Sequence, residues 1–107
     1  MLAKQGAAAF PPVPGIDPGH ADLAKAQGWS AVASDNVAVE ALPMPPGPRS
    51  AHVRMLRNLG LPFAELLEFG ALGRACQRDR RWEFLFVAVP LYIPGGIGSP
   101  ANAIAIR

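Results

Sequence analysis

The C-terminal part of the chain constrains the fold more than any other segment. Residues 82–89 form an apolar run that predicts a buried strand, and Pro90 marks its end. A short strand over residues 91–93, a glycine-rich loop and a last apolar strand over residues 103–106 are predicted to follow. Because Glu83 is the only charge in the first of these strands, we expect that strand to be central and covered on both faces.

Length and charge narrow the class of protein. At 107 residues the chain has room for one domain with a modest core. Its net charge of +2 is too small to indicate nucleic acid or an anionic membrane as a partner. The local arginine excess over residues 74–81 is typical of a solvated helix end and turn.

Cysteine usage and apolar runs indicate the cellular setting. Cys76 is the only cysteine, which excludes an intrachain disulfide and a cysteine-rich metal site, so a reducing, cytoplasmic location is expected. The apolar residues near the N-terminus are too few for a signal peptide. The longest apolar run, residues 84–93, is too short for a membrane helix, so no membrane partner is expected.

The first half of the chain predicts a helix followed by short strands. Residues 1–13 are interpreted as a linker or as the remnant of a preceding segment, and residues 14–107 as the folded part. Asp17 before Pro18 is a typical helix start. Gly28 ends this helix, and strands are predicted over residues 29–33 and 37–39. Ser34, Asp35 and Asn36 therefore lie in the predicted turn between these two strands.

The second half of the chain continues the alternation of predicted helices and strands. A proline-rich loop precedes Ser50, which is predicted to cap a helix that Gly60 ends. A short apolar strand over residues 61–64 and a helix over residues 68–77 follow. Alternating helices and short buried strands make an α/β layered architecture the expected fold class.

His52 and Glu65 are the candidate metal ligands. His52 shares a predicted helical face with Leu56 and Leu59, so it is expected to point inward. Its imidazole can be satisfied there by a backbone carbonyl, or it can bind metal. Glu65 directly follows an apolar strand, where a carboxylate needs a partner cation and where α/β proteins place site residues. The pair suits a divalent cation, but three or four ligands are needed for a site.

Other polar groups give weaker signals. Asp35 lies at a strand end and can face a pocket, although Ser-Asp-Asn is also an ordinary turn sequence. Glu40 is interpreted as facing solvent. The glycine-rich loop at residues 95–100 lacks a lysine and a following helix, so a tight connection is favoured over phosphate binding. Cys76 has no nearby histidine in sequence and is not expected to be a nucleophile.

Three blocks together resemble the metal-dependent cyclase and kynurenine-formamidase-like hydrolases. Residues 90–105 resemble the family ending "PL-x-I-x-G-G-x-G-S-P-x-N-x-I-A". Residues 52–65 resemble its block "H-x-x-L-…-G-I-x-x-x-E", and residues 32–40 its strand and turn "G-x-D-x-x-x-x-E". The resemblance runs from about residue 14 to residue 106.

The resemblance implies a swivelling β/β/α domain, present here as an incomplete, C-terminal portion. It implies a divalent metal, zinc or manganese, with His52 and Glu65 among the ligands. The substrate class is a small-molecule amide such as N-formylkynurenine, in tryptophan catabolism. The family's other ligands lie in an upstream "H-x-G-T-H-x-D" motif, which this sequence lacks, so no catalytic residue is assigned.

The absence of this motif from the sequence leaves two alternatives for the function of the chain. One is the C-terminal part of a metal-dependent hydrolase of linear amide C–N bonds, inactive alone and paired with a missing N-terminal half. The other is a non-catalytic remnant that acts as an oligomerisation or partner-binding module, since unpaired strand edges favour self-association.

Overall fold

The computed structural model describes residues 11–44 and 47–107. The chain divides into two compact units, Met1–Leu67 and Glu68–Arg107. Both contain helices and strands, in agreement with the mixed α and β content expected from the sequence. Most of the predicted linker, residues 1–10, lies outside the described residues. Val13, its last residue, pairs with Leu42 through backbone hydrogen bonds of 3.0 and 3.3 Å.

The first unit begins with helix α1, His20–Gln27. The Asp17 carboxylate accepts a hydrogen bond of 2.6 Å from the Gly19 N–H, which satisfies a free donor at the helix start. Gly28 ends the helix in the left-handed region, at φ 65°, and its N–H bonds back to the last turn. The predicted end of this helix is therefore confirmed, whereas its start lies two residues beyond the predicted one, with Gly19 at the N-cap.

Two short parallel strands, β1 (Val32–Ala33) and β2 (Phe63–Ala64), form the sheet of this unit. The strand predicted over residues 37–39 is wrong. That segment bends, and Glu40 makes only an isolated bridge with Ile16. Parallel pairing brings the carboxyl ends of β1 and β2 to one edge, where the Ser34 N–H bonds to the Ala64 carbonyl at 2.8 Å.

A π-helix, His52–Arg57, connects the loop to β2. As predicted, Ser50 caps its start, with its hydroxyl oxygen 3.2 Å from the Val53 N–H, and Gly60 follows it at φ 71°. The predicted buried face is wrong in part, because Leu56 is 41% exposed whereas Met55 is fully buried. The buried face instead runs through Ala51 and Met55, four residues apart and both fully buried, so it is centred on Ala51 and not on His52.

The core of the first unit lies between α1, the π-helix and the start of β2. Its fully buried members are mostly small, which lets the helices approach closely: Ala21, Ala24, Ala51, Met55 and Leu61. Larger side chains close the cluster at its border: Ile16, Trp29, Leu59 and Phe63. This small core holds the elements that carry the candidate ligands.

The second unit contains helix α2 (Gly70–Asp79) and an antiparallel pair, β3 (Leu85–Val87) and β4 (Ile104–Ile106). Leu85 pairs with Ile106, so both strands present apolar side chains. The expectation of a central, doubly covered strand is wrong for the described residues, since β3 has one partner and Leu85 is 61% exposed. Residues 91–93 form no strand either, and only Pro90 bridges to Ala101.

The glycine-rich segment forms a tight connection, as the sequence predicts. Gly95 adopts φ 75°, and the Gly96 N–H bonds to the Ile93 carbonyl at 2.9 Å. The Ser99 hydroxyl accepts a bond of 2.9 Å from the Leu91 N–H, which fixes the end of the connection. Across residues 11–44 and 47–107, the helices are too short or too polar to cross a bilayer.

Candidate functional site

His52 occupies the first position of the π-helix, next to β2. Its ring meets Phe63 edge to face, with the ring centres 5.1 Å apart and the planes at 78°. About a third of the side chain, 32%, stays exposed. The ring is thus held by packing on one side and remains open to a ligand on another.

Glu40 is the buried partner of His52. Its side chain has no exposed surface, and both carboxylate oxygens accept backbone hydrogen bonds, Oε2 from Ala51 at 2.8 Å and Oε1 from His52 at 3.2 Å. The Oε1 atom also lies 2.5 Å from His52 Nδ1. These contacts offset the cost of burying a carboxylate and cap the start of the π-helix.

The interpretation of Glu40 as a solvent-facing residue is therefore wrong. The missed signal was present in the sequence, because Glu40 follows the apolar residues Val37, Ala38 and Val39. This is the pattern that singled out Glu65. Glu65 was chosen because a carboxylate directly after an apolar run needs a partner, and the same rule selects Glu40 as a candidate buried carboxylate.

Glu65 directly follows β2, at the carboxyl edge of the sheet. Its Oε1 atom accepts a hydrogen bond of 2.9 Å from the Val39 N–H and lies 3.4 Å from His52 Nε2. The next residue, Leu66, has φ 57°, a left-handed conformation that is costly for leucine. Bonds from the Leu66 and Leu67 N–H groups to the Asn36 and Ser34 carbonyls, 2.9 and 3.1 Å, hold the chain there.

The three side chains form a line from Glu40 through His52 to Glu65. With the Nδ1 proton directed at Glu40, a neutral imidazole presents an unprotonated Nε2 toward Glu65. Nε2 and a carboxylate oxygen are then both acceptors and repel one another unless a proton or a cation lies between them. The 3.4 Å separation exceeds that of a charge-assisted hydrogen bond, about 2.8 Å.

The donor set and spacing fit a divalent cation. Two ligand atoms about 2.0–2.1 Å from a tetrahedral zinc ion are separated by about 3.3 Å, close to the 3.4 Å between His52 Nε2 and Glu65 Oε1. Within the described part of the chain, however, no group of three or more His, Cys, Asp or Glu side chains could hold a metal. His52 and Glu65 thus offer two donor atoms, fewer than the three or four protein ligands of an ordinary metal site.

Asp35 lies in the turn after β1, whose neighbouring residues Ser34 and Asn36 bond to the backbone on both sides of Glu65. Its side chain is exposed in the turn after β1, where the Ser34 hydroxyl accepts a bond of 2.9 Å from the Asn36 N–H. The Asn36 side chain then accepts one of 2.8 Å from Val37 and donates to the Pro14 carbonyl. Ser34 and Asn36, rather than Asp35, make the contacts that build this turn.

Comparison with known proteins shows similarity to a solved structure. No family model matches the chain, and no curated protein matches it. A solved structure described as the crystal structure of a novel cyclase matches with a TM-score of 0.78 and 37% sequence identity. The match covers 90% of this chain and 31% of that one, so the chain spans about a third of that cyclase's length. In sequence and in structure, the chain is similar to part of a cyclase.

Proposed function

We propose that this chain carries part of the metal centre of a metal-dependent hydrolase that acts on linear amide C–N bonds. The observation that carries the proposal is the placement of His52 Nε2 3.4 Å from Glu65 Oε1. Similarity to a cyclase, together with the sequence blocks around both residues, supports the assignment. The swivelling β/β/α domain of that family, incomplete here, is the architecture that we propose for these elements.

In this proposal His52 and Glu65 hold the cation, which is zinc or manganese. A divalent metal supplies Lewis acidity toward the amide carbonyl and toward a water nucleophile. Within the chain, the Val39 N–H orients the Glu65 carboxylate. The remaining ligands and the catalytic groups are proposed to come from a segment with the H-x-G-T-H-x-D motif.

The proposed substrates are aryl formamides of the N-formylkynurenine type, as in the breakdown of tryptophan to kynurenine. The resemblance of residues 52–65 and 90–105 to the kynurenine-formamidase-like hydrolases supports this choice. The proposed setting is the cytoplasm. Without the motif-bearing segment we expect the chain to bind metal weakly and to leave formamides unhydrolysed.

Metal binding tests the ligand assignment directly. We expect His52→Ala and Glu65→Ala each to weaken zinc and manganese binding at least about 10-fold, because each removes a ligand atom. Isothermal titration of the full chain measures this effect. His20→Ala and Asp35→Ala are matched controls with exposed side chains, and we expect them to bind as the unsubstituted chain does.

Equal affinity in all four variants would refute the metal site. If the two ligand variants lose binding, the chain should next be combined with the motif-bearing segment of a related cyclase. We expect formamide hydrolysis to appear in that complex and to be absent when His52 is replaced. Hydrolysis that survives the replacement of both ligands would contradict their proposed role.

A second candidate function is a non-catalytic oligomerisation or partner-binding module. The apolar strands β3 and β4 favour it, since Leu85, Ile104 and Ile106 are 61%, 51% and 52% exposed. We expect Leu85→Lys to lower the molar mass measured by light scattering, because a charge on this face opposes self-association. Glu83→Lys, an exposed control in the same unit, should leave the mass unchanged. An equal mass for all three proteins would exclude this face as a self-association surface.

A further inference from the structure

Glu40 is the residue of the site whose role the ligand assignment leaves open. It is fully buried and engaged through both oxygens, yet it does not contact Glu65 among the described residues. We propose that Glu40 is a positioning residue that fixes His52 in the Nδ1–H form and so directs the Nε2 lone pair to a divalent cation. This inference rests on the proposed metal site.

The first step of the argument concerns the direction of the hydrogen bonds. Backbone N–H groups can only donate, so both oxygens of Glu40 already act as acceptors toward Ala51 and His52. The same Oε1 atom lies 2.5 Å from His52 Nδ1. An acceptor in this role requires the proton to be on Nδ1, and a neutral ring then has none on Nε2.

The second step concerns the orientation of the ring. Phe63 packs against the imidazole edge to face, and the Nδ1 contact fixes rotation about the ring's own axis. Together they leave Nε2 directed at Glu65 Oε1, 3.4 Å away. A carboxylate behind a metal-binding histidine raises its basicity and fixes its tautomer, and loss of such a partner typically weakens metal binding about 10–100-fold.

A purely structural role for Glu40 is the competing explanation. Its contacts to Ala51 and His52 cap the π-helix, and a cap affects stability without selecting a tautomer. Glu40→Gln separates the two roles. Either orientation of the amide sets its NH₂ group against one backbone N–H, that of Ala51 or that of His52. The Nδ1–H form thereby loses the carboxylate that fixes it, and the Nε2–H form, whose proton blocks a cation, gains population.

The tautomer can be read directly by nitrogen NMR of the metal-free chain labelled with ¹⁵N at histidine. The sequence has only two histidines, and exposed His20 serves as the internal reference, assigned with His20→Gln. At about pH 8 an ordinary imidazole is neutral. We expect the Nδ1–H pattern for His52 in the unsubstituted chain, and either the imidazolium or the Nε2–H pattern there would overturn the proposal.

The variants then connect the tautomer with binding. We expect Glu40→Gln to shift His52 toward Nε2–H and to weaken zinc binding at least about 10-fold. Glu40→Asp keeps the carboxylate, so we expect it to show more of the Nδ1–H form and tighter zinc binding than Glu40→Gln. Glu65→Gln should weaken binding with the His52 tautomer unchanged. A changed tautomer with unchanged zinc affinity would overturn the positioning role.

Failure of the metal site is distinguishable from failure of this inference. If His52→Ala binds zinc as tightly as the unsubstituted chain, the proposed metal site is wrong, and the positioning role toward a cation is overturned with it. If His52→Ala loses zinc but Glu40→Gln retains it, the metal site stands and only the role of Glu40 is wrong. Should Glu40→Gln not fold, the tautomer of the unsubstituted chain and the Glu40→Asp variant still decide the question.

Discussion

Replacing Met55 by alanine is expected to lower the free energy of unfolding by about 3 kcal/mol, within the range of about 2–5 kcal/mol for such changes. Met55 is completely buried in the middle of the π-helix, against Ala21, Ala24 and Leu61. Its neighbours are small or already packed in the core, so they cannot move into the space that the side chain leaves. Urea unfolding of the full chain, followed by circular dichroism, measures the loss.

The adjacent Leu56 provides a matched control for this prediction. Its side chain is 41% exposed, so Leu56→Ala should cost less than about 1 kcal/mol. The comparison tests which face of the helix is buried, the face through Ala51 and Met55 or the predicted face through His52 and Leu56. A larger loss for Leu56→Ala than for Met55→Ala would contradict the burial of Met55 in this core.

Gly15→Ala is the second change for which we expect a large effect. A Cβ at Gly15 would lie 2.2 Å from the Glu40 carbonyl carbon and 2.3 Å from the Ala41 nitrogen. Both are backbone atoms in a segment already bound through the Ile16 N–H to the Val39 carbonyl at 2.9 Å, so neither segment can yield without breaking that bond. We expect a loss of about 3 kcal/mol, at the upper end of overpacking effects.

Gly15→Ala should also weaken metal binding at the candidate site. Moving the backbone at Glu40 displaces the carboxylate from the π-helix and from His52, so we expect zinc affinity to fall along with stability. Urea unfolding and zinc titration of the same preparation measure both effects. A stability within about 0.5 kcal/mol of the unsubstituted chain would show that the close approach of Gly15 to Glu40 is absent.

Gly19→Ala is the control for Gly15→Ala within the same unit. A Cβ there would meet only the end of the Asp17 side chain, at 2.8 Å, and that carboxylate can rotate away. Its expected cost is at most about 1 kcal/mol, roughly the value of the cap that Asp17 provides. The difference between the two glycines therefore isolates the backbone contact from the general effect of adding a methyl group.

Several local features were predictable because their causes are local. Gly28 and Gly60 end their helices in left-handed conformations that glycine adopts without strain. Ser50 caps a helix through a bond only a few residues long. Glu65 was selected because it follows an apolar strand, and His52 because it shares a predicted helical face with Leu56 and Leu59. The structure places His52 Nε2 3.4 Å from Glu65 Oε1.

Other features depended on partners distant in sequence. Met55 is buried and Leu56 is half exposed because the core contacts the helix face through Ala51 and Met55, and the spacing of apolar residues does not indicate which face will meet a partner. The apolar residues of β3 predict a covered strand, yet it pairs with β4 alone among the described residues. Apolarity shows that a strand can be buried, while the available partners decide whether it is.

The sequence by itself determined the mixed helix and strand content, the main helix ends and the two candidate ligands. Only the tertiary structure decided that Glu40 is buried against His52. The hydrogen bonds between these two segments close a loop of about twelve residues. The path of that loop depends on the core and on the close approach of Gly15 to the Glu40 backbone. Capping and turn preferences act over a few residues and can be read along the chain. Burial of a charge depends on what surrounds it, and that is settled when the elements pack.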